Sequence, residues 1–168
     1  MNDSKPFQRA SAAALHFLSY RPRSEAEVRA RLLRSFPSDV VEEVIESLSE
    51  QTLLDDTSFS RLWTDSRISH RPRSAAAIKR ELITKGVAKD VAEDAVRDVD
   101  DKDSAYRAGL KLSRRLEQAD LNVFRRKMWG YLHRRGFGGA VARRTVARLW
   151  DELQESRGDG SPDDTEGR

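Results

Sequence analysis

The sequence repeats itself at an interval of about fifty residues, and this repeat constrains the fold more than any other feature. Arg21-Pro22-Arg23-Ser24 returns as Arg71-Pro72-Arg73-Ser74. Two apolar positions downstream persist in three copies, as Val28 and Leu32, Ile78 and Leu82, and Met128 and Leu132. Internal periods of this length are typical of arrays in which one supersecondary unit packs against the next.

A second repeated segment has the spacing of an α-helix. Residues 39–48, 90–99 and 140–149 align with one another, and their apolar side chains fall at i, i+5 and i+8, with i+4 apolar as well in the first two copies. This spacing places them on one face of a helix. No run alternates with period two for long enough to indicate a strand. We therefore predict an all-α fold.

Each copy also has a helical stretch upstream, over residues 12–19, 57–69 and 102–117. The expected buried side chains of the second and third stretches are Phe59, Leu62, Trp63 and Ile68, and Tyr106, Leu110 and Leu116. The chain thus predicts three tandem three-helix repeats of about 50 residues that form an elongated curved array. The expected boundaries are a flexible N-terminus at 1–11, repeats at 12–56, 57–101 and 102–153, and a disordered acidic tail at 154–168.

Helix-capping patterns recur at matching places in the repeats. Ser24 with Glu27 has the spacing of a capping box, in which each side chain bonds an unpaired amide of the first turn. The same spacing with Asp as cap occurs at Asp39 with Glu42 and at Asp90 with Glu93. Acidic pairs at residues 55–56 and 100–101 are expected to cap helices at the junctions between copies.

Charge is distributed unevenly although the net charge is only +3. Residues 102–150 contain 13 basic and 3 acidic residues, whereas residues 151–168 contain 2 basic and 7 acidic ones. In the last helix of the repeat, Glu42 and Glu93 are replaced by Arg143 in the third copy. A segment this basic predicts a surface for a polyanion or an acidic protein, with a solvated arginine-rich face as the alternative.

The candidate binding residues are basic side chains of the second and third copies. Arginine predominates among them, and its guanidinium binds carboxylates and phosphates through two parallel hydrogen bonds. The candidates for contact with a partner or DNA are Arg71, Arg73, Lys79, Arg80, Lys85, Arg125, Arg126, Arg134, Arg135, Arg143 and Arg144.

Catalytic and metal-binding patterns are missing from the sequence. The chain has no cysteine, and His16, His70 and His133 have no metal-ligand spacing. Neither a phosphate-binding loop nor a nucleophile elbow is present. No apolar stretch is long enough for a membrane span, and no signal peptide is recognisable. We expect a cytoplasmic protein that is not an enzyme and binds no metal and no cofactor.

Ordered motifs over residues 12–153 resemble the RecX family of bacterial regulatory proteins. The resemblance rests on Arg23-Ser24 with Val28 and Leu32, Leu53-Leu54-Asp55-Asp56 before Phe59, Ile78, Glu81-Leu82, Lys85-Gly86-Val87, and Leu132-His133-Arg134-Arg135-Gly136-Phe137. Phe36 and the acidic tail depart from the family pattern.

The resemblance implies a regulator of homologous recombination, DNA repair and the SOS response. Such proteins bind the RecA recombinase and the RecA–DNA filament, lower recombinase and ATPase activity, and limit filament growth. A monomer is expected, with weak direct DNA binding as a second contact. The alternative is a stand-alone nucleic-acid-binding helical module, since Tyr106, Phe124, Trp129, Tyr131 and Phe137 lie among basic residues. Helical spacing favours these aromatic residues as core, Trp129 among them.

Overall fold

The computed structural model describes residues 4–158, and this part of the chain consists of nine helices joined by short turns. They are α1 (Lys5–Tyr20), α2 (Glu25–Leu32), α3 (Ser38–Glu50), α4 (Asp56–His70), α5 (Ala75–Thr84), α6 (Lys89–Ala95), α7 (Asp101–Arg115), α8 (Leu121–Arg134) and α9 (Gly139–Gly158). The described residues contain no strand. The predicted all-α helical-repeat fold is confirmed.

The N-terminal segment differs from the prediction. Helix α1 already begins at Lys5, so most of the segment 1–11 that we expected to be flexible is helical. The Ser4 side chain accepts a hydrogen bond from the Phe7 amide, and Pro6 occupies the first turn, where its missing N–H costs nothing. Ala10 is fully buried. Tertiary packing of α1 therefore holds this segment, and residues 1–3 lie outside the described residues.

The C-terminal helix also extends further than the sequence indicated. Helix α9 continues to Gly158, so residues 154–158 are helical, while residues 159–168 of the predicted tail lie outside the described residues. Side-chain contacts support the added turns. The Arg157 guanidinium lies 5.5 Å from the centre of the Trp150 ring and donates to the Ala119 carbonyl.

Helix capping follows the prediction at Ser24 but not at the two aspartates. Ser24 and Glu27 form the expected capping box. Helices α3 and α6 begin one residue before Asp39 and Asp90, after Pro37 and Ala88, and neither has a side-chain cap. The two aspartates therefore lie in the first turn, where a carboxylate still complements the positive end of the helix dipole.

Two apolar cores form from the first and third helix triplets. The first is built around Val28, Leu32, Val44, Ile45 and Leu48, and the third around Phe124, Met128, Leu132, Phe137 and Leu149. The apolar positions that recur every fifty residues thus form the interior. Removing apolar side chains from water favours folding, which explains why these positions stay apolar.

The predicted burial on the first helices of the second and third repeats holds only in part, and Trp63 and Ile68 are half-buried. Leu62 is 55% exposed, because α4 turns Phe59, Ser60 and Thr64 inward instead. On α7 the small residues Ala105 and Ala108 occupy the inner face, so Tyr106 and Leu110 are only half-buried. Leu116 is buried as predicted.

The described residues divide into two compact units. One ends at Arg67 and resumes over Ile78–Asp98, and the other contains Ile68–Ala77 and the chain from Val99 onward. The second helix triplet therefore contributes to both units. Within each unit, one middle helix meets the next repeat through a related contact, which we call a joint.

In the joint of the first unit, Ser24 at the start of α2 is fully buried and its hydroxyl donates to the Lys85 carbonyl at 2.5 Å. In the joint of the second unit, Ser74 is equally buried and its amide donates to the Arg135 carbonyl at 3.1 Å. Lys85 and Arg135 are themselves fifty residues apart. The repeat of the sequence therefore reappears as a repeat of inter-helix contacts.

Acidic residues at the junctions complete both joints. Asp56 accepts a hydrogen bond from the Glu25 amide at 2.8 Å, and Asp101 accepts one from the Ala75 amide at 2.7 Å. Asp100 caps its own helix by accepting from the Lys102 amide. The prediction that these acidic pairs cap helices at the junctions is confirmed. Amides of a helix N-terminus have no partner within the helix, so the carboxylate of the first residue of α4 or α7 stabilises them.

Gly86 is the closest point of approach in the first joint. Its φ of +83° lies in the left-handed region that only glycine adopts without strain. A Cβ atom built on Gly86 would lie 2.2 Å from the Cβ of Ala26. Helix α5 can therefore end against α2 only because this residue has no side chain.

We expect Gly86→Ala to destabilise the chain by about 2–4 kcal/mol, because it adds left-handed strain and a clash inside the joint. Urea unfolding followed by circular dichroism measures the loss. Gly138→Ala is the matched control, since a Cβ there meets no atom within 4 Å, and it should change stability by less than about 1 kcal/mol. Equal effects of the two substitutions would contradict the close approach at Gly86.

Candidate partner-binding surface

In the first unit, two of the three candidate basic residues are engaged in ion pairs. Lys79 pairs with Glu93 of α6, and Lys85 pairs with Glu27 at 3.4 Å. Arg80 is exposed on α5. The structure therefore leaves Arg80 as the more accessible of these side chains and gives Lys85 a contact within the fold.

Lys85 belongs to a cluster that ties α4 and α5 to α2. Its ammonium lies 4.3 Å from the centre of the Trp63 ring, and the Arg67 guanidinium lies at the same distance from that ring. The Trp63 indole N–H donates to Glu81 at 2.9 Å, and Arg67 donates to the same carboxylate at 2.7 Å. The cation–π contacts with the indole ring and the hydrogen bonds to the shared carboxylate limit the conformational freedom of all of these side chains.

Glu27 is the acidic centre of the first joint. Burial acts to raise the pKa of its carboxyl, but hydrogen bonds from the Arg21 guanidinium and the Ser24 amide, with the charge of Lys85, lower the pKa below its usual range. The Arg21 hydrogen bond measures 2.8 Å. Ionised Glu27 therefore stabilises the folded chain.

In the second unit, the candidates near the joint differ in accessibility. Arg71 is exposed, and Arg73 is half-buried and engaged. Arg135 is half-buried and donates to the Pro72 carbonyl at 3.2 Å, and its guanidinium stacks on the Tyr131 ring at 4.4 Å. Arg135 thus has a structural contact that the sequence did not indicate. Arg134 beside it is exposed at the end of α8.

One pair of repeat-equivalent positions changes character in the third copy. In the first copy Arg29 of α2 pairs with Glu42 of α3 at 2.8 Å, and Lys79 of α5 pairs with Glu93 of α6 in the second. The hydrogen bond from each cation lowers the pKa of its glutamate. The equivalent residues of the third copy are Trp129 of α8 and Arg143 of α9. The carboxylate that neutralises the cation is absent there.

Trp129 and Arg143 lie together in a groove between α8 and α9. A Cβ built on Gly139 would lie 3.6 Å from the end of the indole ring and 3.5 Å from an Arg143 nitrogen. The groove has a volume of about 390 Å³, and we call it the basic groove; its lining residues are Arg125, Arg126, Trp129, Arg143, Val146 and Ala147. Among the described residues, none of its three arginines pairs with a carboxylate.

The basic groove brings together three of the predicted candidates and Trp129, for which the sequence offered both a core position and stacking on nucleic acid. Helical spacing favoured the core position for Trp129, but its side chain is 38% exposed. The core assignment holds for Phe124 and Phe137, which are buried, while Tyr106 and Tyr131 are half-buried. The repeat itself carried the missing signal, because Trp129 aligns with the surface residues Arg29 and Lys79.

Arg144 is exposed on α9, next to Arg143 but outside the groove lining.

Over residues 4–158, no group of three or more histidine, aspartate or glutamate side chains is placed to hold a metal ion. Within the same range, no helix has the length and apolar content needed to cross a membrane. The observed site is therefore an open, cationic and partly aromatic surface.

Family models match both of the first two repeats. The model for the first three-helix domain of RecX matches residues 10–48, and the model for the second three-helix domain matches residues 55–96. The third repeat, which contains the basic groove, lies beyond these two matches.

Curated relatives match over most of the chain. Regulatory protein RecX of Mycobacterium avium is 36% identical over 157 residues, which cover 89% of this chain and 90% of the relative. The Prosthecochloris aestuarii protein of the same name is 35% identical over 89% of this chain and 98% of its own length. The crystal structure of RecX from Lactobacillus salivarius has a TM-score of 0.71, with 23% identity over 89% of this chain and 97% of that structure.

We predict that Arg135 stabilises the fold whereas Arg134 does not. Arg135→Ala removes a charged hydrogen bond and a ring contact at the joint, so it should lower the free energy of unfolding by about 1–3 kcal/mol. Arg134→Ala is the matched control and should change it by less than about 0.5 kcal/mol. Thermal and urea unfolding of the two variants test this, and equal stabilities would contradict a structural role for Arg135.

We predict that Glu27 makes the first joint sensitive to acid. Because its folded pKa is lowered, its contribution is fully present above the unfolded pKa of about 4.3 and is lost as pH falls through the folded pKa. Glu27→Gln should therefore destabilise the chain at pH 7, and its difference from wild type should shrink towards pH 3. Urea unfolding at both pH values measures this difference, with Glu46→Gln on the exposed face of α3 as control. A difference that does not depend on pH would contradict the prediction.

Proposed function

The chain belongs to the RecX family, and from this we propose that it binds the RecA recombinase and the RecA–DNA filament as a monomer. We further propose that binding lowers RecA ATP hydrolysis and recombinase activity and limits filament growth. The observation that carries the proposal is the similarity to regulatory RecX proteins, which extends over nearly the full length of both chains. The chain would act by binding rather than by catalysis.

The exposed arginines of the third repeat support a partner that carries negative charge. Arg126, Arg134 and Arg144 are all exposed on α8 and α9, and none pairs with a carboxylate among the described residues. A surface with unneutralised guanidinium groups attracts phosphates and carboxylates over a distance of about one Debye length. An acidic protein surface and the DNA backbone of a filament both fit this requirement.

The joints support a role in which neighbouring repeats present surfaces together. Within each unit, a buried serine and a capping aspartate fix one repeat against part of the next. Side chains on consecutive repeats of one unit therefore keep a defined spacing. A filament also presents the same surface at regular intervals, so it can contact side chains on more than one repeat at once. Several weak contacts made together give a higher overall affinity than any one of them.

We predict that the wild-type chain, added at less than one copy per RecA, slows ATP hydrolysis by RecA on single-stranded DNA. Arg134→Ala/Arg144→Ala should weaken this inhibition by roughly 10-fold in the concentration needed, because two unpaired charges of the proposed contact are removed. A coupled ATPase assay with circular single-stranded DNA measures both effects.

The matched control is Arg114→Ala/Arg115→Ala, which removes the same charge from the exposed end of α7. It should inhibit like the wild type. A wild-type chain without effect on RecA at any concentration would contradict the proposed function. Equal weakening by both double variants would contradict only the assignment of the surface.

A further inference from the structure

Trp129 is partly exposed, and no ring or cation stacks on it among the described residues. The other two tryptophans are occupied: Trp63 has cations over its ring, and Trp150 packs against Phe124 with ring centres 5.2 Å apart. No aromatic ring or cation stacks on Trp129 among residues 4–158, although its side chain is 38% exposed. The exposed part of an indole ring is a surface on which another flat ring stacks favourably.

The surroundings of Trp129 combine this face with concentrated positive charge. Arg125 and Arg126 lie on α8 and Arg143 on α9, and all three line the basic groove without a carboxylate partner in the described residues. Val146 and Ala147 supply an apolar wall. Like charges held together repel one another, so a ligand that carries several negative charges would be bound most favourably.

We infer that the basic groove binds single-stranded DNA, with an unpaired base stacked on Trp129 and the neighbouring phosphates held by Arg125, Arg126 and Arg143. A single strand offers a flat ring and a phosphate at each nucleotide, which are the two chemical groups that the groove lining complements. A duplex has its base faces already stacked. An acidic peptide satisfies the arginines but offers no flat ring at each charged unit to stack on the indole.

The comparison of the repeats supports a binding role for these positions. In the first and second copies, the equivalent positions are occupied by Arg29 with Glu42 and by Lys79 with Glu93, which neutralise one another. In the third copy, Arg143 stands in place of the glutamate and Trp129 in place of the cation, which leaves one charge unneutralised among the described residues and one ring partly exposed. This site concerns DNA binding by the chain alone, so it does not depend on regulation of RecA.

Fluorescence anisotropy with a labelled oligonucleotide of about 15 nucleotides tests the inference. Three probes separate bases from phosphates: an intact single strand, the same strand with abasic sites throughout, and the duplex. The wild-type chain should bind the intact strand most tightly. Trp129→Ala should weaken binding to the intact strand by roughly 5- to 150-fold and leave binding to the abasic strand unchanged, whereas Trp129→Phe should retain most of the affinity.

Two further variants test the arginines and guard against loss of fold. Arg143→Ala should reduce the slope of log affinity against log salt by about 0.7, the value for one phosphate contact on a single strand, and Arg114→Ala on α7 should leave it unchanged. Trp129→Lys/Arg143→Glu recreates the pair found at Lys79 and Glu93, so it should fold and lose binding to the intact strand. Circular dichroism checks the fold of each variant.

Three results would overturn the inference. The first is equal loss of affinity for intact and abasic strands in Trp129→Ala, which would leave a site for phosphate alone. The second is tighter binding of duplex than of single strand by the wild-type chain. The third is wild-type affinity in a folded Trp129→Lys/Arg143→Glu variant, which would place the DNA elsewhere. If RecA regulation is intact while any of these occurs, only the DNA site is wrong.

Discussion

The buried serine at the start of each of the first two middle helices is the contact on which the packing of helices within its unit depends. Ser24 and Ser74 are fully buried, and each connects a helix N-terminus to the carbonyl at position 85 or 135 of the following copy. A buried polar group without a hydrogen-bond partner destabilises the fold. The two helices are therefore favoured in the one relative placement that gives the serine its partner. Hydrophobic packing brings the helices together, and these hydrogen bonds select the register.

The same joints determine which basic residues remain accessible to a partner. Lys85 and Arg135 lie at equivalent positions and both are used inside the fold, the first by Glu27 and Trp63 and the second by the Pro72 carbonyl. Residues one position away are exposed, as Arg134 is. Basic residues in this chain therefore have two roles. An arginine stabilises a joint at position 135 and faces solvent at position 134, and composition alone does not distinguish the two.

Periodicity predicted the helices, because one buried face per helix is a local property of the sequence. The capping box at Ser24 was equally predictable, since its two partners are three residues apart. The joints were not, because they connect residues 61 positions apart and use a main-chain carbonyl, which leaves no pattern in residue type. Trp129 could have been placed correctly. Its equivalents Arg29 and Lys79 are charged. A repeat position that is charged in two copies is expected on the surface of the repeat rather than in its core.

The change from Arg29–Glu42 to Trp129–Arg143 shows how a duplicated unit diverges without losing its fold. An ion pair on the surface contributes about 0–1 kcal/mol, so removing one alters stability far less than removing a core leucine does. The interior positions of the three copies are therefore under physical constraint while this surface pair is almost free to vary. Substitutions at such a surface position after duplication let one copy acquire new chemistry. The core residues of all three copies continue to maintain the fold.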